Sequence, residues 1–443
     1  MHIQLSDHFT FGKLIRFTLP SIAMMIFTSV YSVVDGLFVS NFVGKTPFAA
    51  LNLIWPLIGV LSALGFMMGT GGSAMVAKTL GEGNRPRANR YFSLFVYVTL
   101  ALGVLAGGLG IVFTRPIAVL LGADEALLGH CVVYGRILLA VMPFFMLQVA
   151  FQSFFIAAEK PGLGFAMTVG AGLVNILLDA LFVAVLGWGL PGAAAATAIS
   201  QTVGGVVPLF YFARPNTSLL RLGRTRVERR PLWLACMNGS SELMSNLSGS
   251  LVSMLYNARL MAIAGQNGVA AYGVIMYINF VFIALFLGYS IGIAPVVSFH
   301  YGARNRPELK NLLRKSLVIL VVTSAGITAL SLLSAVPLSR VFVGYDPDLL
   351  ALTVRAFRLY ALSFLVVGFN LFGSGFFTAL NNGPVSAAIS FLRTFVFQIA
   401  AVLALPLLLD TDGIWLAVPL SELLCLGVTA AFLVGLRKKY GYA

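Results

Sequence analysis

The chain has 443 residues, of which 59% are hydrophobic and only 10% are charged. Soluble globular proteins carry roughly 25% charged residues, so this composition excludes a soluble enzyme, a nucleic-acid-binding protein and a disordered chain. The net charge of +14 comes from 29 Lys and Arg residues against 15 Asp and Glu residues. Because the basic residues fall in short loops between apolar runs, they indicate membrane topology rather than a nucleic-acid partner.

Apolar runs of about 20 residues or more divide the chain into twelve membrane-spanning segments. Their Leu, Val, Ala and Phe content is typical of helices rather than of the alternating strands of a membrane β-barrel. The sequence therefore predicts an all-α integral membrane protein. The predicted spans lie near residues 14–40, 48–78, 91–113, 131–157, 162–187, 191–213, 232–260, 269–298, 316–338, 351–380, 384–409 and 413–436.

Loop charge predicts the orientation of these spans. Basic residues crowd the N-terminus, the loops after spans 2, 6 and 8, and the C-terminus, whereas the alternate loops are short or acidic. By the positive-inside rule, the basic segments face the cytoplasm. Both termini are therefore expected in the cytoplasm, which agrees with an even number of spans.

The two halves of the chain are related by an internal duplication. A shift of 221 residues brings Asn84-Arg85-Pro86 onto Asn305-Arg306-Pro307 and Gly81 onto Gly302. Each repeat holds six spans, so both repeats enter the membrane in the same sense, as in the parallel repeats of some secondary transporters. We predict an N-terminal six-helix lobe (1–213), a basic interlobe linker (214–231) and a C-terminal six-helix lobe (232–443).

Four of the fifteen acidic residues fall within predicted spans, namely Asp35, Asp179, Glu242 and Glu422. A charge at the centre of a bilayer costs at least about 2.5–3.5 kcal/mol, so such residues usually face an aqueous cavity and act there. The alternative is that each acid only forms a hydrogen bond to a neighbouring helix. For Glu242, near the start of span 7, a position at the cavity mouth or membrane interface is an equal alternative.

Polar side chains accompany the two acids of the first repeat. Tyr31 precedes Asp35, and Asn175 precedes Asp179, by four residues each, so each pair shares one helix face. Neighbouring spans of the same repeat add Tyr134, Gln152 and Thr197.

The first repeat is also the only one with both acids, since the second repeat has Tyr256 and Ala400 at the corresponding positions. Two carboxylates in one partly desolvated pocket disfavour each other's ionisation, which brings protonation into the range that a proton gradient can drive. The same oxygens, with those of Asn and Thr, could hold Na⁺. Pro20, in the same span as Asp35, frees a backbone carbonyl and permits a bend.

At these positions the chain resembles the multidrug and toxic compound extrusion (MATE) transporters, in their DinF-like prokaryotic branch. The resemblance covers essentially the whole chain. The residues that carry it are Pro20 with Asp35, the segment Gly-Glu-Gly-Asn-Arg at 81–85, Asn175-Ile-Leu-Leu-Asp179, and Gly302-Ala-Arg-Asn305.

The resemblance implies a secondary active exporter of cationic and amphipathic small molecules. It works by antiport against H⁺ or Na⁺, with H⁺ the preferred coupling ion. It implies no enzyme activity and no cofactor, a location in the prokaryotic inner membrane, and no nucleic-acid partner; the internal duplication makes a monomer sufficient.

The resemblance also implies a coupling site in the first lobe, with Pro20 as the residue that bends span 1. Tyr31 and Glu242 are secondary candidates. Na⁺ at Asp35 and Asp179 is the only metal that we consider. A sodium site in the second lobe is not expected, because span 10 has no acid. The site residues implied are Asp35, Asn175, Asp179 and Thr197, with Tyr134 and Gln152 nearby.

Three other functions stay open from the sequence. A lipid-linked oligosaccharide flippase of the same superfamily usually has extra spans and a strongly basic cavity, for which Arg136, Arg259 and Arg393 are the only clear candidates here. A membrane-embedded enzyme requires a catalytic or metal-ligand cluster, which the sequence does not show. A channel is the third alternative, but two unequal halves around one acidic site fit alternating access better than a symmetric pore.

Overall fold

The computed structural model describes residues 3–442, without the side chains of Leu37, Ser40, Asn41 and Lys45. Regular structure within this range is helical. The first half contains α1 (Phe11–Phe38), α2 (Lys45–Gly81), α3 (Arg85–Leu120), α4 (Glu125–Ala140), α5 (Met142–Ala157), α6 (Pro161–Asp179) and α7 (Gly189–Ala213). The second half contains α8 (Arg229–Gly302), α9 (Arg306–Val343), α10 (Pro347–Ala361), α11 (Phe364–Ala379), α12 (Gly383–Phe391), α13 (Gln398–Ala404), α14 (Pro406–Gly435) and α15 (Arg437–Tyr440).

Three π-helical turns interrupt or end these helices, at Val39–Val43, Ala180–Val185 and Leu392–Phe397. Single π-helical turns are often found at functional sites. The first follows α1 and the second follows α6, so each comes directly after a helix whose last turn contains one of the two acids of the first repeat.

The helices make twelve membrane crossings. Nine helices of the described chain, α8 among them, are long and apolar enough to cross, and two bent pairs add two further crossings. The 74-residue α8 crosses twice, because Gly265 adopts φ 61° and ψ −153° and reverses the chain. The prediction of twelve spans in two six-helix lobes is confirmed.

Two spans expected to be continuous are broken. The span predicted at 131–157 consists of α4 and α5, which meet at 59°, and the span at 351–380 consists of α10 and α11, which meet at 47°. In the first case Pro143 is the second residue of α5 and lacks the N–H that a continuous helix would need. No proline occurs at the second break, which lies between Ala361 and Phe364.

The repeated Asn-Arg-Pro tripeptide starts equivalent helices in the two lobes. The side chain of Asn84 accepts a hydrogen bond from the Arg87 N–H at the start of α3, and Asn305 does the same for Glu308 at the start of α9. An asparagine cap stabilises a helix by roughly 1 kcal/mol, and proline is well suited to the first turn. The segment between the lobes is irregular from 214 to 228, and the last three residues of the predicted linker form the first turn of α8.

One end of the bundle carries the described residues before α1 and after α14, the turns that start α3 and α9, and the interlobe linker. We call this end the basic face. Tyr301 stacks edge-on against Tyr440 there, with ring centroids 5.7 Å apart. At this face α2 and α8 approach backbone to backbone: a Cβ on Gly81 would overlap the Phe299 carbonyl, and one on Gly302 would overlap the Lys78 carbonyl. The two lobes are therefore closed against each other at the basic face.

Candidate functional site

The acids of the first lobe meet where α1 and α6 end. Asp35 lies in the last turn of α1, and Asp179 is the last residue of α6 and is fully buried. Their carboxyl groups face each other within proton-sharing and electrostatic range. The helices themselves pack closely here, because Gly172 on α6 leaves room for the rings of Phe27 and Tyr31 on α1.

Three neutral polar groups surround the pair. The buried hydroxyl of Tyr134 on α4 lies near Thr197 and within electrostatic range of both carboxyl groups. The Asn175 amide nitrogen donates to the Thr197 hydroxyl at 3.4 Å. Helices α1, α4, α6 and α7 therefore each contribute one or two groups to a single polar site inside the first lobe.

The carboxyl oxygens of this site lack hydrogen-bond donors. Oδ1 of Asp35 and both side-chain oxygens of Asp179 are buried without a donor among the described residues. Two ionised carboxylates in this arrangement repel each other, and each buried oxygen without a partner is unfavourable by about 1–3 kcal/mol. A proton shared between the carboxyl groups, or a monovalent cation held by their oxygens, would relieve both effects. Both ions fit an all-oxygen donor set.

The other predicted residues lie at different distances from the pair. Tyr31, one turn before Asp35, is within electrostatic range of its carboxyl group. Gln152 lines a separate small pocket with Gln148 and Thr168 and makes no described contact with the carboxyl pair. Helix α1 continues through Pro20 without a break. The role of Pro20 in bending this helix stays a prediction.

Glu242 belongs to the second lobe, where it lies within electrostatic range of Arg393. Arg393 also forms an ion pair with Glu422 at 3.3 Å, and both side chains are at most 10% exposed. The Asn370 amide donates to Glu422 Oε2 at 2.8 Å and accepts from the Thr429 hydroxyl at 2.9 Å. Sequence reasoning singled out Arg393 and Glu422 separately but missed Asn370, since a lone polar residue in a span carries no signal of its partner.

The two lobes are thus chemically unequal. The second lobe pairs its buried acid with an arginine, whereas the first lobe places two acids together without a described cationic partner. Uptake of one cation would halve the charge of the two ionised carboxylates in the first lobe, whereas the acid of the second-lobe pair already has its counter-ion.

Comparison with known proteins agrees with this architecture. The family model MatE matches residues 20–181 and 243–403, one segment in each lobe. The multidrug export protein MepA of Staphylococcus haemolyticus is 22% identical over 430 residues, which cover 97% of this chain and 94% of that protein. The probable multidrug resistance protein YoeA of Bacillus subtilis is 24% identical over 443 residues, covering 96% and 92%.

The fold is also found among solved structures. An outward-facing MATE family transporter superposes with a TM-score of 0.91 at 22% identity, covering 98% of this chain and 96% of the other. The family-model match in both halves, together with the twelve crossings and the two-lobe duplication, shows that this chain belongs to the MATE family of membrane transporters.

Proposed function

We propose that the protein exports cationic and amphipathic small molecules by antiport against H⁺, with its basic face toward the cytoplasm. The observation that carries the coupling mechanism is the pair formed by Asp35 and Asp179, whose buried oxygens lack donors. The names of the relatives MepA and YoeA support multidrug export as the transport class. The basic residues of the loops and termini support the orientation.

The coupling step consists of protonation and release at this pair. When one proton is shared, the carboxyl groups attract each other and hold the ends of α1 and α6 together. When the proton leaves, two like charges face each other in a poorly solvated site and push these ends apart. The π-helical turns Val39–Val43 and Ala180–Val185 follow directly, pack against each other and are the segments that would rearrange.

The closed basic face indicates which state of the transport cycle this conformation represents. The lobes contact each other at the proposed cytoplasmic end, which supports a state that exchanges ions and drug with the opposite side of the membrane. In this state the proton enters from outside and the drug leaves. Return to the cytoplasm-open state requires separation of α2 from α8 at the glycine contacts.

The test is transport in liposomes with one gradient at a time. Purified protein would be reconstituted with ethidium as the transported cation, under either a pH gradient or a Na⁺ gradient. We expect uphill ethidium movement driven by the pH gradient and lost in Asp35→Asn and in Asp179→Asn. Glu82→Gln, an exposed acid on the basic face, serves as the matched control and should transport normally. Full gradient-driven transport by both Asp variants would refute the mechanism.

Two other outcomes discriminate further. If only the Na⁺ gradient drove ethidium movement, the Asp35–Asp179 pair would still be the coupling site, and Na⁺ rather than H⁺ would be the coupling ion. No movement under either gradient, in protein that is folded, would reject ethidium-type multidrug export and favour a lipid-linked substrate, which flipping assays with lipid would then test.

A further inference from the structure

The interlobe linker is held in a fixed position along α3. The side chain of Asn89 accepts from the Arg221 N–H at 3.1 Å, and Ser93 accepts from the Gly223 N–H at 3.0 Å. The Tyr97 hydroxyl donates to the Gly223 carbonyl at 3.2 Å. The linker backbone is therefore ordered by side chains of α3 rather than free to move as a tether.

Further bonds fix both sides of this contact. The Arg85 guanidinium donates to the carbonyls of Leu219 and Ser218, each at 3.0 Å. The Thr225 hydroxyl donates to the carbonyl of Arg90 at 3.0 Å. The linker thus runs along α3 from Arg85 to Tyr97. These two residues are twelve helical steps apart, a rise of roughly 18 Å.

This arrangement gathers exposed arginines on one surface. None of them forms an ion pair with another residue in the described part of the chain, and the one acid of the segment is Glu228. We call this surface the linker patch; its members are Arg90, Arg221, Arg224, Arg226, Arg229 and Arg230.

Exposed apolar side chains lie beside the linker patch. Val227 is 77% exposed and Trp233, in the second turn of α8, is 66% exposed. Tryptophan is enriched where membrane helices pass through the headgroup region. Exposed guanidinium groups next to exposed apolar side chains match a phospholipid, which has an anionic phosphate next to its acyl chains.

We propose that the linker patch is a binding site for anionic phospholipids of the adjacent leaflet. Arginine can bind a phosphate through two parallel N–H donors, which makes it better suited than lysine to this contact. Membrane topology alone requires only basic residues in this loop. It does not require the backbone of the loop to be held on α3 by side-chain bonds, as observed here. The site joins the start of the second lobe to α3 of the first, so bound lipid holds the linker in place on the first lobe.

The experiment measures binding of fluorescent phosphatidylglycerol to the full-length protein in neutral detergent. The test variant is Arg221→Gln/Arg224→Gln/Arg226→Gln. The matched control is Arg437→Gln/Lys438→Gln/Lys439→Gln, which removes the same charge from the same face. We expect saturable binding that weakens with salt and falls on the order of 100-fold in the test variant, against less than threefold in the control.

Three further arms identify what is recognised. Phosphatidylcholine should not compete, and glycerol phosphate at millimolar concentration should not displace the lipid, because it lacks acyl chains. An Arg→Lys version of the test variant should bind at an intermediate level. Thermal unfolding in detergent should be similar for all variants, which shows that they fold.

Equal loss of binding in the test and control variants would overturn the proposal, since only the total charge would then matter. Displacement by glycerol phosphate would also overturn it, because the site would then bind a soluble phosphate rather than a membrane lipid.

Discussion

Asp35 and Asp179 come from opposite ends of the first repeat, yet their carboxyl groups face each other inside the first lobe without a described hydrogen-bond donor on three of their four oxygens. A protein that kept this arrangement for stability alone would gain by replacing one acid with an amide. The pair is therefore the kind of strained site at which stability is given up for function.

We expect Asp179→Asn to have opposite effects on stability and on transport. The amide supplies an N–H donor for Asp35 and removes one charge, so the repulsion becomes a hydrogen bond. We expect the midpoint of thermal unfolding in detergent at pH 8 to rise by about 2–4 °C, while gradient-driven ethidium transport is lost. Asp179→Ala removes the charge without supplying a donor and should stabilise less. An unfolding midpoint below that of the wild type in Asp179→Asn would mean that the pair is a structural contact.

The buried ion pair of the second lobe should behave in the opposite way. Glu422→Gln removes the ion-pair partner of the buried Arg393 guanidinium and leaves only Glu242 within electrostatic range of it. Breaking a buried pair typically costs about 3–5 kcal/mol. We expect a large fall in the thermal midpoint for Glu422→Gln and for Arg393→Met, with partial recovery in the double variant. A double-mutant cycle measures the coupling; additive losses would show that the two side chains act independently.

The spans and the duplication could be predicted because their physical causes are local. Bilayer thickness sets the length of each span, and the Asn-Arg-Pro tripeptide acts as the same helix cap in both lobes. The breaks between α4 and α5 and between α10 and α11 could not be predicted in this way. Pro143 lies in the first turn of a new helix, but α2 continues through Pro56 and α1 through Pro20, so a proline in a span does not by itself predict a break.

The site was predictable only as a set of polar residues on shared helix faces. Gln152 belongs to the same lobe but faces another pocket, and nothing in its spacing shows this. Arg393 lies in the π-helical turn Leu392–Phe397, where the extra residue changes which side of the helix faces inward. Its pairing with Glu422 depends on that local irregularity, which the hydrophobic pattern does not reveal.

Closure at the basic face can be tested with a native cysteine. Cys236 on α8 is half-buried, and its sulfur lies 3.7 Å from that of Met68 on α2, so it is covered only while the lobes are together. Gly302→Val should separate α8 from α2, because its side chain would overlap the Lys78 carbonyl.

We expect several-fold faster maleimide labelling of Cys236 in Gly302→Val than in its parent. Both proteins would carry Cys131→Ala and Cys425→Ala so that only one thiol reacts. Gly326→Val on α9, where a Cβ meets no atom within 4 Å, is the matched control and should label at the parental rate. Equal labelling of all three proteins would show that the glycine contact does not hold the basic face closed.

The segment before α1 connects the two lobes at the same face. The Leu5 N–H donates to Glu159 Oε1 at 2.6 Å in the first lobe, and the Phe9 N–H donates to Glu308 Oε1 at 2.9 Å in the second. The ring of His8 also contacts Glu308 at 2.6 Å. The side chains of Leu5 and Phe9 are fully buried. A segment bonded to both lobes favours the state in which they are together, and it must be released on one side when they separate.

Asn311 and Lys315 of the second lobe also donate to the Phe9 carbonyl, so Glu308 is one of three side chains that hold the segment there. Removing Glu308 should therefore loosen both the segment and the closed face. Glu308→Ala deletes the acceptor for Phe9 and His8, and we expect faster proteolysis before α1 together with faster labelling of Cys236. Glu82→Ala, an exposed acid on the same face, should change neither rate. If Glu308→Ala increased proteolysis but left Cys236 labelling unchanged, the segment would be bound to the lobes without contributing to their closure. The two readouts together thus separate a bound terminus from one that stabilises the closed state.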